Sequence, residues 1–196
     1  MNNRPDRKTL KFYARMAAES YINDPVHAFA TKSPKWRKRF VYHFMMCRFA
    51  CSVRTDYFYY DEEKRGLCIM RDAHNEYSML GFLTSPNWIF LAVYFKSLIK
   101  TLMAYGHLDS EVFEKGTYII SPVFVDKAHQ GKGVASKLIR QAIADFEPKG
   151  YKIGLETQNP DNVPIYEKLG FKTIKYEYYK LEKIHNYYMV YHPNKK

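Results

Sequence analysis

The spacing of apolar residues changes period several times along this chain of 196 residues, and each change marks a predicted element. Over 8–22, Leu10, Tyr13, Ala14, Ala17 and Tyr21 fall on one helical face, and Asn23-Asp24-Pro25 stops it. A short segment, Val26 to Ala30, leads to a turn at Lys32-Ser33-Pro34, with Ser33 as the expected cap. Over 35–53 a second helix carries Trp36, Phe40, Phe44, Cys47 and Cys51 in one stripe, expected to pack on a sheet. Tyr57 to Tyr60 and Gly66 to Met70 then read as strands joined by a charged turn, a hairpin. Arg71 to Glu76 is loop-like, and Ser85-Pro86-Asn87 breaks the next apolar region. From Asn87, Leu91, Tyr94 or Phe95, Leu98 and Leu102 predict a helix ending at Gly106, followed by a polar connection over 107–115.

The clearest unit lies further on. Tyr118 to Val125 is an apolar strand, Gln130 to Ala135 a glycine-rich turn, and Val134, Leu138, Ile139, Ala142 and Ile143 recur at helical spacing. A strand, a tight loop and a helix leave several unpaired N–H groups converging at the helix start, where the dipole adds partial positive charge. Such a place suits a phosphate or diphosphate. The spacing is neither G-x-x-x-x-G-K-[ST] nor a full G-x-G-x-x-G, because Ser136 stands at the third glycine position. After Glu147-Pro148-Lys149-Gly150 come a strand at 151–156, a short helix at 163–169, and a hairpin pairing 171–180 with 185–191. Asn162 is a natural cap for the short helix, Gly170 a natural stop, and Tyr166 lies one turn from Asn162.

Gln130, Gly133 and Ala135 match the Q/R-x-x-G-x-G/A signature, and Asn162, Tyr166, Gly170 and Phe171 match a later N-x-x-x-Y-x-x-x-G-F segment. In both motifs and their spacing the chain resembles the GCN5-related N-acetyltransferase (GNAT) superfamily. The match is good over the last eighty or so residues and loose over the first hundred, with the core at about 118–171. The resemblance implies one domain over 1–196 of α+β (α/β) class. Its central sheet would be mixed and mostly antiparallel, flanked by helices, with a splayed pair of parallel strands. It also implies acetyl-CoA as cosubstrate and transfer of an acetyl group to an amine. Val123, Phe124 and Val125 would offer backbone groups to the pantetheine arm. Gln130, Gly131, Lys132, Gly133, Val134, Ala135 and Ser136 would surround the diphosphate. Lys132 is either a helper there or a solvated loop charge, and Asn162 either a cofactor contact or only a cap. Tyr166 matches the family's proton donor to the departing thiolate, with packing as the plainer role. The chain departs from the family where Lys127 replaces a common proline. No general base is visible: Glu114, Glu156 and Asp126 lie in suitable stretches without a motif, and many members use water chains.

Composition narrows the picture. The hydrophobic share of 46% and charged share of 26% belong to an ordinary globular domain. Of the net charge of +11, +7 sits in residues 1–40, densest at Lys32, Lys35, Arg37, Lys38 and Arg39. That cluster reads as a solvated helix start, with attraction of an acidic partner or of anionic CoA as the sharper readings. No nucleic-acid motif accompanies it, and no nucleic-acid partner is expected. Cys47, Cys51 and Cys68 are an odd number without an apparent secretory signal, which favours reduced thiols and a cytoplasmic setting. Nothing has metal-ligand spacing, so no metal is expected, and the apolar run Trp88 to Phe95 is too short to cross a bilayer. The acceptor amine stays unidentified, and both a monomer and a homodimer fit. The rival to an active acetyltransferase is a GNAT-fold module that binds CoA with little or no catalysis.

Overall fold

A computed structural model describes residues 4–75, 79–104, 109–180 and 182–193. Helix α1 (Arg7–Ser20) starts at Asp6, whose carboxylate accepts the N–H of Thr9 at 2.7 Å. One 3₁₀ turn later, Asp24 caps α2 (Pro25–Ala30) by accepting the N–H of His27 at 3.1 Å. The segment over 26–30 is therefore a helix in its own right. Helix α3 (Pro34–Ser52) follows, with Ser33 as a backbone cap only. Strands β1 (Tyr57–Tyr60) and β2 (Gly66–Asp72) form the expected hairpin.

The next segment departs from expectation. The single helix predicted from Asn87 is two, α5 (Asn87–Val93) and α6 (Phe95–Ala104), because the backbone turns out of helix at Tyr94. The predicted end at Gly106 lies outside the described residues. Ahead of the Ser85-Pro86 break sits α4 (Met79–Thr84), and a short α7 (Asp109–Val112) occupies part of the polar connection. The remainder runs β3 (Thr117–Val125), α8 (Val134–Phe146), β4 (Lys152–Thr157), α9 (Val163–Glu167), β5 (Lys172–Tyr179) and β6 (Ile184–Tyr191).

The described strands form one six-stranded sheet in the order β1-β2-β3-β4-β6-β5. All neighbours are antiparallel except β3 and β4, which α8 joins as a parallel crossover. This is the mixed, mostly antiparallel architecture expected. Alternation along β2 divides the core. Leu67 and Ile69 point to the face covered by α1 and α3, and Cys68 and Met70 to the face covered by α8.

The α3 stripe packs less on the sheet than expected. Phe40 and Cys47 are buried among α1 and neighbouring helices as well as Leu67, Ile69 and Phe124, while Trp36 is 48% exposed, with Arg39 over its ring. Arg37 corrects the reading of a solvated basic cluster. It is buried, and its guanidinium donates to the carbonyls of Thr31 (2.8 Å), Lys32 (3.0 Å) and Ile22. One side chain thus ties the end of α1, the end of α2 and the start of α3 together. Lysine cannot reproduce the planar fork. Arg37→Lys is expected to lower unfolding free energy by about 2 kcal/mol, from lost charge-assisted bonds to buried carbonyls. Urea unfolding against Lys38→Arg, a change at an exposed neighbour, checks this.

Candidate functional site

The candidate cleft follows from where β3 and β4 stop pairing. Their ladder ends at Ile120 opposite Leu155, yet β3 continues to Val125 and β4 to Thr157. The strands part there, and the space between them is lined by Ser121, Pro122 and Val123 from one side and Leu155, Glu156 and Thr157 from the other. A bulge marks the same place. Met70 faces Ile120 but Cys68 faces Val123, so β3 carries one residue more than β2 across this interval. Pro122 lies inside the bulge, behind a cis Ser121–Pro122 bond.

Register decides which backbone groups face the cleft. Asp126 N–H donates to Arg65 at 2.7 Å, so the adjoining Gly66–Val125 pair is a non-hydrogen-bonded one, and by the period of two so is Cys68–Val123. Val123 and Val125 therefore turn their amide groups away from β2, toward the gap. Phe124 does the reverse. Its backbone joins the β2 ladder and its ring is buried beneath α1, which removes it from the expected backbone contacts. The carbonyls of Val123 and Val125 already accept hydroxyls from the end of α1: Tyr21 at 3.0 Å and Ser20 respectively.

Past the strand the chain enters the glycine loop. Gly131 and Gly133 have φ of 75° and 77°, a left-handed conformation that side chains resist. No atom lies within 4 Å of where a Cβ on either would sit, so the loop is open on that side. No side chain caps α8 at Gly133, which leaves the first-turn amides of Val134, Ala135 and Ser136 facing this open ground. The Val134 side chain is buried and anchors the turn, whereas Lys132 is exposed. Gln130 folds back instead, its Nε2 donating to Val125 O at 3.3 Å and Ser20 Oγ at 3.4 Å, and so fastens the loop to β3 and α1.

Asn162 and Tyr166 both line the cleft, as their spacing predicts. Asn162 is not the side-chain cap expected of it. Its backbone is already helical, and its Nδ2 donates to Thr157 Oγ1 at 3.2 Å, while Asn159 caps the preceding turn through Asp161 N–H at 3.1 Å. Tyr166 is buried, and burial with Cys68 nearby pushes its hydroxyl up to about 12.

Known proteins share this fold. The acetyltransferase (GNAT) family model matches residues 39–171. The chain belongs to the GNAT family. Solved structures support the fold. One, described as histone acetyltransferase HPA2 and related acetyltransferase from Corynebacterium glutamicum, superposes with a TM-score of 0.70 at 14% identity, over 98% of this chain and 95% of that one. An N-acetyltransferase from Staphylococcus aureus gives 0.58 at 15% identity, over 95% and 97%.

GNAT enzymes use acetyl-CoA, and the open amides at the start of α8 have the donor chemistry its diphosphate requires. Among the described residues no cluster of His, Cys, Asp or Glu could hold a metal. Of the carboxylates weighed from the sequence, Glu114 pairs with Lys152 and Asp126 turns onto Ala128 N–H and His129, whereas Glu156 lines the cleft. The helical layer adds residues that motif reading missed: Tyr21, Asp24, His27 and Arg48 reach the same cleft from α1, α2 and α3. Arg48 donates to Ser121 Oγ in the bulge. None of these belongs to a local motif, and the only sequence signal was polar residues on otherwise apolar helices.

His27 is the most enclosed of them, packed against the rings of Tyr21, Phe40 and Phe44, with Nδ1 unpaired among the described residues. Burial lowers its pKa, Asp24 opposes that, and Arg48 and Arg37 add to it. The ring is therefore neutral at pH 7. Its contribution to stability is present above the unfolded value near 6.5 and is lost as pH falls from there through the lower folded value. Between pH 7 and 5 the wild type is expected to lose stability more steeply than His27→Gln, by up to about 1.4 kcal/mol per pH unit. Urea midpoints across that range check the difference in slope.

Proposed function

We propose that this GNAT domain transfers an acetyl group from acetyl-CoA to a primary amine by direct attack. The observation that carries the proposal is the cleft itself. It opens where β3 and β4 part, receives Tyr166 and Asn162 from one side and polar side chains of the helical layer from the other, and lies beside uncapped amides suited to a diphosphate. The diphosphate would rest on the amides of 133–136, with Gly131 and Gly133 leaving room for it. The pantetheine arm would run along β3, where Val123 and Val125 turn their N–H groups into the gap.

The acceptor side has its own character. Asp24 and Glu156 place two carboxylates along the lining against one cation, Arg48, which favours an ammonium-bearing acceptor. That ammonium must lose a proton before its lone pair can attack the thioester carbon. The neutral ring of His27 and the carboxylate of Glu156, itself accepting Gln158 Nε2 at 2.7 Å, are lining groups able to take it. Attack forms the C–N bond and puts negative charge on the carbonyl oxygen, which an N–H of β3 stabilises. Collapse breaks the C–S bond, and Tyr166 hands its proton to the sulfur.

The test is thiol release from acetyl-CoA with a panel of primary amines, run beside calorimetric titration of CoA. Amine-dependent release supports transfer. Tight CoA binding without release with any amine would make the domain a CoA-binding module instead. Absence of binding would remove the cofactor site altogether.

A further inference from the structure

The segment between β2 and β3 carries a surface that takes no part in lining the cleft. Ten of the sixteen large apolar side chains exposed among the described residues lie within 80–103, on α4, α5 and α6. Val93 is 80% exposed, Leu102 55% and Phe95 60%. Monomeric proteins rarely expose so many large apolar groups on neighbouring elements without a use for them. Both tryptophans of the chain are here: Trp88 on α5, and Trp36 on α3, whose ring meets Tyr94 at 6.3 Å.

The charges around this face have one sign. From 77 to 108 the sequence contains Lys96 and Lys100 and no acidic residue. Arg39 lies over Trp36 at the α3 border. At the α4 border, Arg7 and Arg54 stand at a cavity of about 520 Å³ whose walls include Leu10, Met46, Cys51 and Leu80. A second copy docking through a twofold axis would bring these cations against their counterparts with no carboxylate on the face to answer them. An anionic bilayer supplies what the face lacks: negative charge for the rim and an apolar phase for the aliphatic and aromatic side chains. The cavity adds a recess in which an acyl chain meets apolar walls while its phosphate meets guanidinium groups.

We propose that the face formed by α4, α5, α6 and the Trp36–Arg39 edge of α3 is a docking surface for anionic phospholipid membranes, bound peripherally through its apolar side chains and cationic rim. The proposal does not depend on the acetyl-transfer reading. No helix among the described residues is long and apolar enough to cross a membrane, so attachment is at the interface.

The experiment is co-sedimentation of the full chain with phosphatidylcholine vesicles prepared with and without phosphatidylserine, while the native tryptophan emission is followed. The expected result is binding about tenfold stronger on the anionic vesicles, a blue shift from Trp36 and Trp88, and release by salt. A Val93→Asp, Phe95→Asp double variant, changed only at exposed positions, is expected to keep its circular dichroism and melting temperature and lose vesicle binding. A folded double variant that still binds as the wild type does would overturn the proposal, as would absence of binding to anionic vesicles. A lipid-free dimer in sedimentation velocity, dispersed by the same double variant, would assign the face to a second copy. Salt-sensitive retention on polyglutamate without vesicle binding would assign it to an acidic protein.

Discussion

Gly133→Glu is expected to abolish measurable association with CoA while leaving the domain folded. Gly133 holds φ at 77° as the residue before α8, and the position a Cβ would take is empty to 4 Å. A side chain there collides with nothing in the protein. Its structural cost is the left-handed backbone alone, about 1–2 kcal/mol for an L-residue. The functional cost is larger. The new carboxylate occupies the ground in front of the first-turn amides and sets negative charge against the diphosphate. At about 5 Å and an effective dielectric near 20, one such pair is repulsive by about 3 kcal/mol, and loss of the amide contacts adds to it. The affinity for CoA should therefore fall by well over a hundredfold. Gly133→Asn separates the two effects, because asparagine tolerates the backbone and brings no charge. It should retain a weakened but measurable affinity. Calorimetry for binding and thermal melts for folding check both variants. If the glutamate variant binds CoA normally, the diphosphate does not lie at α8, and the proposed placement of the cosubstrate fails.

The motif residues were legible because their signal is local. The glycine spacing, the apolar repeat after it and the Asn162–Tyr166 interval each sit within a few turns of chain, and the structure brings Asn162 and Tyr166 into one cleft. Pro122 was a readable clue that went unused. A residue without N–H inside an apolar strand signals an interrupted ladder, and the bulge falls there. Phe124 and Val123 differ in use for a reason that alternation alone does not supply, since the phase of the ladder is set by its partner strand. Arg37 was misread because a buried guanidinium and a solvated one look alike in sequence. Its fate depends on three carbonyls brought together by turns on either side of α2. The helical wall of the cleft was illegible for the same reason. Asp24 and His27 belong to the start of α2 and Arg48 to α3, and they meet only when these helices stack beside the sheet. Tyr94 satisfied the helical period yet turns out of helix, and a repeat of apolar positions does not distinguish one helix from two in series.

Tyr166→Phe is expected to cut turnover by about a hundredfold or more while changing CoA affinity less than twofold. The substitution removes one hydroxyl and keeps the ring, which packs edge-on against Phe171 at 6.1 Å beneath α9. Folding and the cleft wall are then preserved, and what disappears is the proton donor. The hydroxyl is suited to that task because burial, with Cys68 beside it, pushes its pKa up to about 12. Burial and the nearby thiol both disfavour the phenolate, so the proton is in place across the whole range in which an amine acceptor titrates. A raised value also fixes the sign of the stability effect. The stabilisation is present below the unfolded value near 10 and fades as pH rises from there toward 12. Tyr166→Phe should therefore lose less stability than the wild type over that alkaline interval, a readout independent of activity. The pH profile of turnover separates catalysis from packing. With Tyr166 as the acid, the wild-type rate should rise with deprotonation of the amine and show no fall below pH 10. The phenylalanine variant should keep the same limb at a uniformly lower level. A variant with wild-type turnover would leave Tyr166 as a packing residue, and the thiolate would then take its proton from solvent.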